Sequence, residues 1–287
     1  MQSTSTPVNT RIALIGGGNM ARGLIGGLLG HGARPDLITV SDPIAASRAA
    51  LQRDFAIRTT DDNAAAAVDA DVVVLAVKPQ QMSPVARALA PVLAARAPLV
   101  ISVAAGIRAS DLQRWVGAGV PVVRAMPNRP ALIGAGASGL YAGKSVGSAQ
   151  RALAEQVLRA SGLCVWVDTE SDLDLVTALS GSGPAYFFRL AELMAEAAVA
   201  QGLEPATARK LAAQTLAGAG QLVAAEIAGA QGADLARMRA EVSSKGGTTE
   251  AALAEFDVHG FGATVAAAQA AAARRSRELA EQFGVAG

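Results

Sequence analysis

The sequence predicts an α/β Rossmann-type N-terminal domain with a mostly parallel sheet, followed by an all-α C-terminal domain. Three observations predict it. Short β-branched runs alternate with helical patterns through the first half. A glycine-rich turn follows the first such run and opens a helix. From about residue 170 the β-branched runs stop, and Ala, Leu, Glu, Gln and Arg take over. Strand, helix, strand at this interval means βαβ units and parallel pairing.

The strand candidates are RIALIG (11–16), LITVSD (37–42), ADVVVLAV (70–77), PLVISVAAG (98–106), PVVRAM (121–126) and ASGLYA (137–142). They are apolar nearly throughout, as strands covered on both faces should be. Between them, NMARGLIGGLLGHG and MSPVARALAPVLAA have helical spacing. The second half holds long helical stretches, FRLAELMAEAAVAQGL, ATARKLAAQTLAGAGQLVAAEIAG and TVAAAQAAAARRSRELAEQFG. SDLD (171–174) and EPAT (204–207) mark helix starts, and GLEP (202–205) reads as a stop followed by proline at a new N-terminus. The expected division is a disordered lead over 1–10, a dinucleotide-binding domain over 11–168 and a helical domain over 169–287. Small residues along the helices suit a self-contained bundle or pairing with a second copy equally.

Composition bounds the function. Of 287 residues, 51% are apolar and 17% charged, so a sizeable core is affordable and disorder is not expected. A net charge of +1 argues against a nucleic-acid-coating surface or a polybasic membrane anchor. One cysteine, Cys164 among apolar neighbours, reads as a buried small hydrophobe and suits a reducing compartment. Two histidines and one cysteine are too few for a dedicated zinc site, so no metal is expected. The N-terminus lacks a basic start and an apolar h-region, and no apolar run reaches the length of a membrane span. The expectation is a cytoplasmic protein with no membrane and no nucleic-acid partner.

IALIGGGNMARGLIGGLL carries Gly16, Gly18 and Ala21 in a G-x-G-x-x-A arrangement, directly after a strand and opening a helix. Gly16 would permit the tight turn, Gly18 the approach of a pyrophosphate, and Ala21 close packing of the helix on the sheet. Free N–H groups at the helix start would hold the phosphates. The bland alternative is a plain βα turn. At the end of the second strand, Asp42 stands where a carboxylate binds the ribose hydroxyls of NAD, while Ser41 with Arg48 could accept a 2′-phosphate instead. NADH and NADPH stay open at this level. LAVKP (75–79) and VRAMPN (123–128) put Lys78, Pro79 and Asn128 at strand carboxyl ends, where doubly wound sheets bind ligands. Asn128 could bond the nicotinamide amide or position substrate. Lys78 could equally be a solvated strand-end lysine.

GGGNMA, AVKPQ, VRAMPN with PALIGAGASGLYA, ALSGSGPAYFF and VSSKGGTTEAAL occur in this order along nearly the whole chain. In this the sequence resembles the pyrroline-5-carboxylate reductase family, the last two motifs being the specific ones. The resemblance implies reduction of the cyclic imine 1-pyrroline-5-carboxylate to L-proline with NADPH or NADH, the final step of proline biosynthesis. It implies a Rossmann domain followed by an all-α C-terminal dimerisation domain, with a dimer as the unit and larger rings possible for the family. Cofactor contacts carried over by the resemblance are Gly16, Gly18, Asn19, Met20 and Ala21; Ser41 or Asp42; Asn63; Ala76, Val77, Lys78 and Pro79; and Val103, Ala104 and Ala105. The substrate, a small molecule with a carboxylate, falls to Ser244, Gly246, Gly247, Thr248 and Thr249. Two departures stand out: Lys245 where the family usually has proline, and Arg129 where it usually has threonine.

Imine reduction needs neither nucleophile nor metal; the cofactor brings the hydride and the protein supplies position and polarity. The N–H groups of Gly246, Gly247 and Thr248 precede the helix TEAALAEF and could converge on the carboxylate. Thr249 is the candidate catalytic residue, orienting and polarising the imine nitrogen with water as the final proton source. The bland alternative is an ordinary helix start, with Thr248 or Thr249 as cap and Glu250 in the first turn. SGSGPAYFF (180–188) has glycines and Pro184 that would loosen or kink a helix. Two other functions compete. A β-hydroxyacid dehydrogenase would need a helical general acid-base lysine, and Lys210 is the only candidate inside the long helices. A non-catalytic dinucleotide-binding protein would leave the 244–249 turn without purpose.

Overall fold

The computed structural model describes residues 9–227 and 232–285. Most of the expected lead over 1–10 lies outside the described residues, as does the end of the stretch expected to run to Gly229. Two compact units result: one comprises the chain through Ser182 together with 271 onward, the other residues 183–270. The sequence puts a single boundary at 168/169; in the structure residues 169–182 and the chain's last helical turns pack with the first unit.

The first unit is built on an eight-stranded sheet in the order β3-β2-β1-β4-β5-β6-β7-β8. The strands are β1 (Ile12–Ile15), β2 (Ile38–Ser41), β3 (Arg58–Thr60), β4 (Val72–Leu75), β5 (Leu99–Ser102), β6 (Val122–Met126), β7 (Gly136–Ala142) and β8 (Gly162–Trp166). Pairing is parallel from β3 through β6; β7 runs antiparallel to β6, and β8 parallel to β7. The chain order reverses between β1 and β4, which makes their carboxyl ends the switch point where such sheets bind ligands.

Alternation along the strands fills two faces. Ile12 and Leu14 join Leu24, Ile25 and Leu28 of α1 (Asn19–Gly30), Leu51 of α2 (Ala45–Phe55) and Val157 of α6 (Ser148–Arg159). Ala13 and Ile15 join Met82, Leu89 and Leu93 of α4 (Pro79–Arg96) and Leu112 and Trp115 of α5 (Ala109–Val116). Both faces are covered, so the strands have no polar alternation to display. Two strands go beyond the sequence reading. β3 is three residues long and partly exposed, and β8 pairs only at the sheet edge. Cys164 lies buried on β8, and burial pushes its thiol up to about 12, the behaviour of a small hydrophobe rather than a nucleophile.

Beyond β8 come the five-residue α7 (Asp172–Val176) and a π-helical turn over Thr177–Gly181, marked by the Ser182 N–H reaching the Thr177 carbonyl. The loosening expected at SGSGP is therefore a π-bulge. Glu170, just before α7, accepts hydrogen bonds from the buried Arg124 guanidinium and from the Ala109 N–H that opens α5.

The second unit contains α8 (Gly183–Ala200), α9 (Pro205–Ile227), α10 (Leu235–Glu241), α11 (Thr248–Val258) and the first part of α12 (Phe261–Val285). The α8–α9 corner follows the GLEP expectation. Gly202 has φ +102°, Leu203 N–H returns to the Ala198 carbonyl, and the Glu204 carboxylate accepts the Ala206 and Thr207 N–H groups that open α9. Those donors hold the Glu204 carboxyl below its usual range. Among the described residues of this unit only Gly183, Ala195 and Ala208 are buried, while Phe187 and Phe188 are each 60% exposed.

The candidate active site

The glycine turn joins β1 to α1 at the switch point. Gly16 has φ +102°, and a Cβ there would lie 2.8 Å from the Ala76 carbonyl oxygen, so the tight turn excludes any side chain. Its N–H donates to the Ser41 carbonyl at 2.8 Å. Gly17 is buried and donates to the Asp42 carboxylate at 2.9 Å, and a Cβ on it would meet Leu51. Gly18 caps α1 with open space around it. The first N–H groups of the helix, those of Asn19, Met20 and Ala21, have no partner within it, as at every helix start. Ala21 is 1% exposed, and a Cβ at Gly23 or Gly27 would run into the Ala131 or Ala160 carbonyl. Gly17, Gly23 and Gly27 are additions to the motif; the unbroken GGG run and the glycine spacing along the helix were their signal.

The ends of the neighbouring strands surround this turn. Asp42 does not stand free as a ribose ligand: one carboxylate oxygen takes the Gly17 N–H and the other the Ile44 N–H at 2.9 Å. Ser41 is 1% exposed, and its buried hydroxyl finds no hydrogen-bond partner among the described residues. Arg48 bonds the Asp42 carbonyl at 2.8 Å, pairs with Asp61 at 3.5 Å and remains partly exposed, which leaves a cation at the carboxyl end of β2. Asn63 starts α3 (Asn63–Ala67), capped by Asp62. Ala76 N–H is held by the Ile15 carbonyl and Val103 N–H by the Leu75 carbonyl, so 76–79 and 103–105 leave the sheet side by side with it. Val77 is part-exposed, Lys78 is exposed at the cap of α4, Pro79 is its first residue, and Ala104 is buried between Val103 and Ala105.

Asn128 departs from the expectation of a free amide. Its side-chain N–H donates to the Ser180 carbonyl in the π-turn at 3.0 Å, and its oxygen accepts the Ala137 N–H at 2.9 Å. It is 8% exposed and brackets β6, β7 and the π-turn.

The 244–249 turn lies in the second unit. Gly247, not a threonine, is the N-cap of α11, and no side chain caps it. Gly247 N–H donates to the Ser244 carbonyl at 3.0 Å and Gly246 N–H to the Glu250 carboxylate at 2.6 Å. Two of the three N–H groups expected to face an anion are thus taken within the turn. The donors left at this helix start are those of Thr248, Thr249 and Glu250, one position further along. Lys245 is exposed. Lys210 is exposed on α9. Among the described residues no group of three or more His, Cys, Asp or Glu could hold a metal ion, and no helix is long and apolar enough to cross a membrane.

A Rossmann sheet with a glycine-built helix start at its switch point defines an NAD(P)-dependent oxidoreductase. A pyrroline-5-carboxylate reductase of Pseudomonas aeruginosa is 50% identical over 98% of this chain and 99% of its own, and one of Haemophilus influenzae is 42% identical over 95% and 98%. The chain belongs to the pyrroline-5-carboxylate reductase family. Residues 170–279 match the family described as pyrroline-5-carboxylate reductase dimerisation, and 11–106 the one described as NADP oxidoreductase, coenzyme F420-dependent. The pyrroline-5-carboxylate reductase structure from Coxiella burnetii superposes with a TM-score of 0.88 at 39% identity, covering 94% of this chain and 98% of that one. The Plasmodium falciparum enzyme, solved with NADP bound, gives 0.78 at 25% identity over 95% and 98%. A 3-hydroxyisobutyrate dehydrogenase, 18% identical with a TM-score of 0.51, shares the fold alone.

Proposed function

We propose that the protein reduces the cyclic imine 1-pyrroline-5-carboxylate to L-proline, with NADPH as preferred donor and NADH as the alternative. The observation that carries this reading is the 50% identity to a reductase of that name over 98% of the chain. When bound, the nicotinamide supplies the hydride. Gly18 and the N–H groups of Asn19, Met20 and Ala21 hold the pyrophosphate, in the open space beside Gly18. Asn63, Ala76 to Pro79 and Val103 to Ala105 line the rest of the cofactor path. Arg48 meets a 2′-phosphate, a reading supported by its partly exposed cation at the end of β2 and by the two N–H groups already held by Asp42. Asn128 acts behind the site, holding strand ends in place.

At the substrate turn, the N–H groups of Thr248 and Thr249 take the carboxylate, favoured by the positive end of the α11 dipole. The Thr249 hydroxyl bonds the ring nitrogen, orienting the imine and passing it a proton that water replaces. Ser244, Gly246 and Gly247 shape the turn around these groups. The working unit is a cytoplasmic homodimer. Support comes from the match of 170–279 to a dimerisation domain and from the exposed apolar side chains of α8 and α9, among them Phe187, Phe188, Leu211 and Leu222.

The test is NADPH and NADH oxidation by the purified protein with 1-pyrroline-5-carboxylate, followed by absorbance. Oxidation with neither cofactor overturns the reading. Thr249→Ala lowers kcat/KM by about tenfold or more, the worth of one polar contact to the reacting group. Full efficiency in that variant removes Thr249 from the mechanism, and light scattering that finds a monomer removes the dimer.

A further inference from the structure

The substrate turn is compact yet has little behind it. Ser244, Lys245 and Gly246 are exposed, and the space beside Gly246 is empty within 4 Å. Its shape is demanding. Ser244 to Gly247 form a β-turn closed by the Gly247 N–H on the Ser244 carbonyl, with Gly246 at the third position at φ +70°. A Cβ on Gly247 would meet the Ser244 hydroxyl and press on the Ser244 carbonyl at 3.0 Å, so a side chain there would force Ser244 to turn away. Adjacent glycines make such a shape accessible and also make it costly to hold, since glycine loses the most freedom on ordering. Something must keep the turn closed, and neither threonine does, for no side chain caps the helix.

We propose that Glu250 is a positioning residue for the substrate turn, its carboxylate clamping the Gly246 N–H so that the first N–H groups of α11 stay aimed outward. The proposal rests on the reading that this turn binds the imine acid. The bond is 2.6 Å and charge-assisted. It resembles a capping box shifted one residue outward: the N-cap N–H of Gly247 is already held by Ser244, so the third-position carboxylate reaches the preceding N–H instead. A carboxylate in the first turn also suits the helix dipole. The clamp explains the pairing of two glycines with a glutamate four residues after the first: one glycine supplies the positive φ, the other clears Ser244, and the glutamate locks both.

The experiment compares wild type, Glu250→Ala and Glu250→Gln in steady-state kinetics and in limited trypsin digestion. Lys245 places a cleavable bond at the Lys245–Gly246 peptide, inside the clamp. Glu250→Ala raises the KM for 1-pyrroline-5-carboxylate about tenfold, leaves the NADPH KM and the melting temperature near wild type, and speeds cleavage after Lys245 about tenfold. Glu250→Gln, whose amide oxygen still accepts the N–H, restores most of both. Unchanged cleavage in Glu250→Ala overturns the clamp. Equal defects in Gln and Ala overturn it too, by making charge and not the bond responsible. Faster cleavage with an unchanged substrate KM overturns its role toward substrate. If wild type itself oxidises no cofactor, the proposed activity fails while the cleavage comparison still decides the clamp.

Discussion

The two glycine-bearing helix starts solve one problem in opposite ways. At α1, two turn N–H groups are consumed before the helix begins, one by a carbonyl (Ser41) and one by a carboxylate (Asp42). At α11 the same pair of acceptors recurs, Ser244 carbonyl and Glu250 carboxylate. In the first case the acceptors come from the neighbouring strand, and the turn is pressed against Ala76 and Leu51. In the second they come from within the same seven residues, and the turn is exposed. Long-range acceptors make the cofactor turn a part of the core, stable whenever the sheet is. Local acceptors make the substrate turn an autonomous loop whose order depends on a few side chains. The substrate role proposed for the 244–249 turn suits the second arrangement, since such a site must admit substrate and release product each cycle.

The contrast can be broken most directly at its glycines. Gly16→Ala meets both a forbidden φ and the Ala76 carbonyl, and costs about 3 kcal/mol in urea unfolding. Gly246→Ala meets only the φ penalty, about 1 kcal/mol, because the space beside it is open. Equal costs at the two positions would erase the distinction. Arg48→Ala sharpens it at the cofactor end: the NADPH KM rises about tenfold while the NADH KM stays near wild type, the loss expected of one charged phosphate contact. Parallel changes for both cofactors would remove Arg48 from 2′-phosphate recognition. The smallest effect is at Lys245. It occupies the second position of the 244–247 turn, where proline suits the backbone, and its N–H bonds no acceptor among the described residues. Lys245→Pro stabilises by about 0.4–1 kcal/mol with activity retained. A destabilised variant would mean that the turn has a different shape.

Much of this was legible in the sequence because periodicity and glycine carry strong local signals. The six strands read from β-branched runs are present, and β1 with its Gly16 turn sits where the motif puts it. The features that escaped depend on partners distant in the chain. β3 is strand only because it lies against β2, having no apolar run of its own. β8 exists because β7 turns back antiparallel and offers an edge. The internal partners of Asp42 and Asn128 escaped for the same reason. A carboxylate or amide at a strand end looks like a ligand group until its own hydrogen-bond partners, Gly17 and Ile44 or Ser180 and Ala137, are known. At the second turn the sequence offered a threonine as cap, whereas Gly247 holds that position with no side-chain bond and the Glu250 carboxylate takes the preceding N–H, that of Gly246.

The last helix carries a consequence of its own. α12 starts in the helical unit and ends in the Rossmann unit, where Ser276 bonds the buried Asp174 at 2.6 Å, Phe283 lies against Gly106, and Arg114 bonds the Gly284 carbonyl at 3.0 Å. The N-terminal unit is therefore discontinuous in sequence: residues 271 onward complete what the residues up to 182 begin. It closes only once the intervening residues 183–270 have been made, so any pairing of helices between chains competes in time with the closing of each chain upon itself.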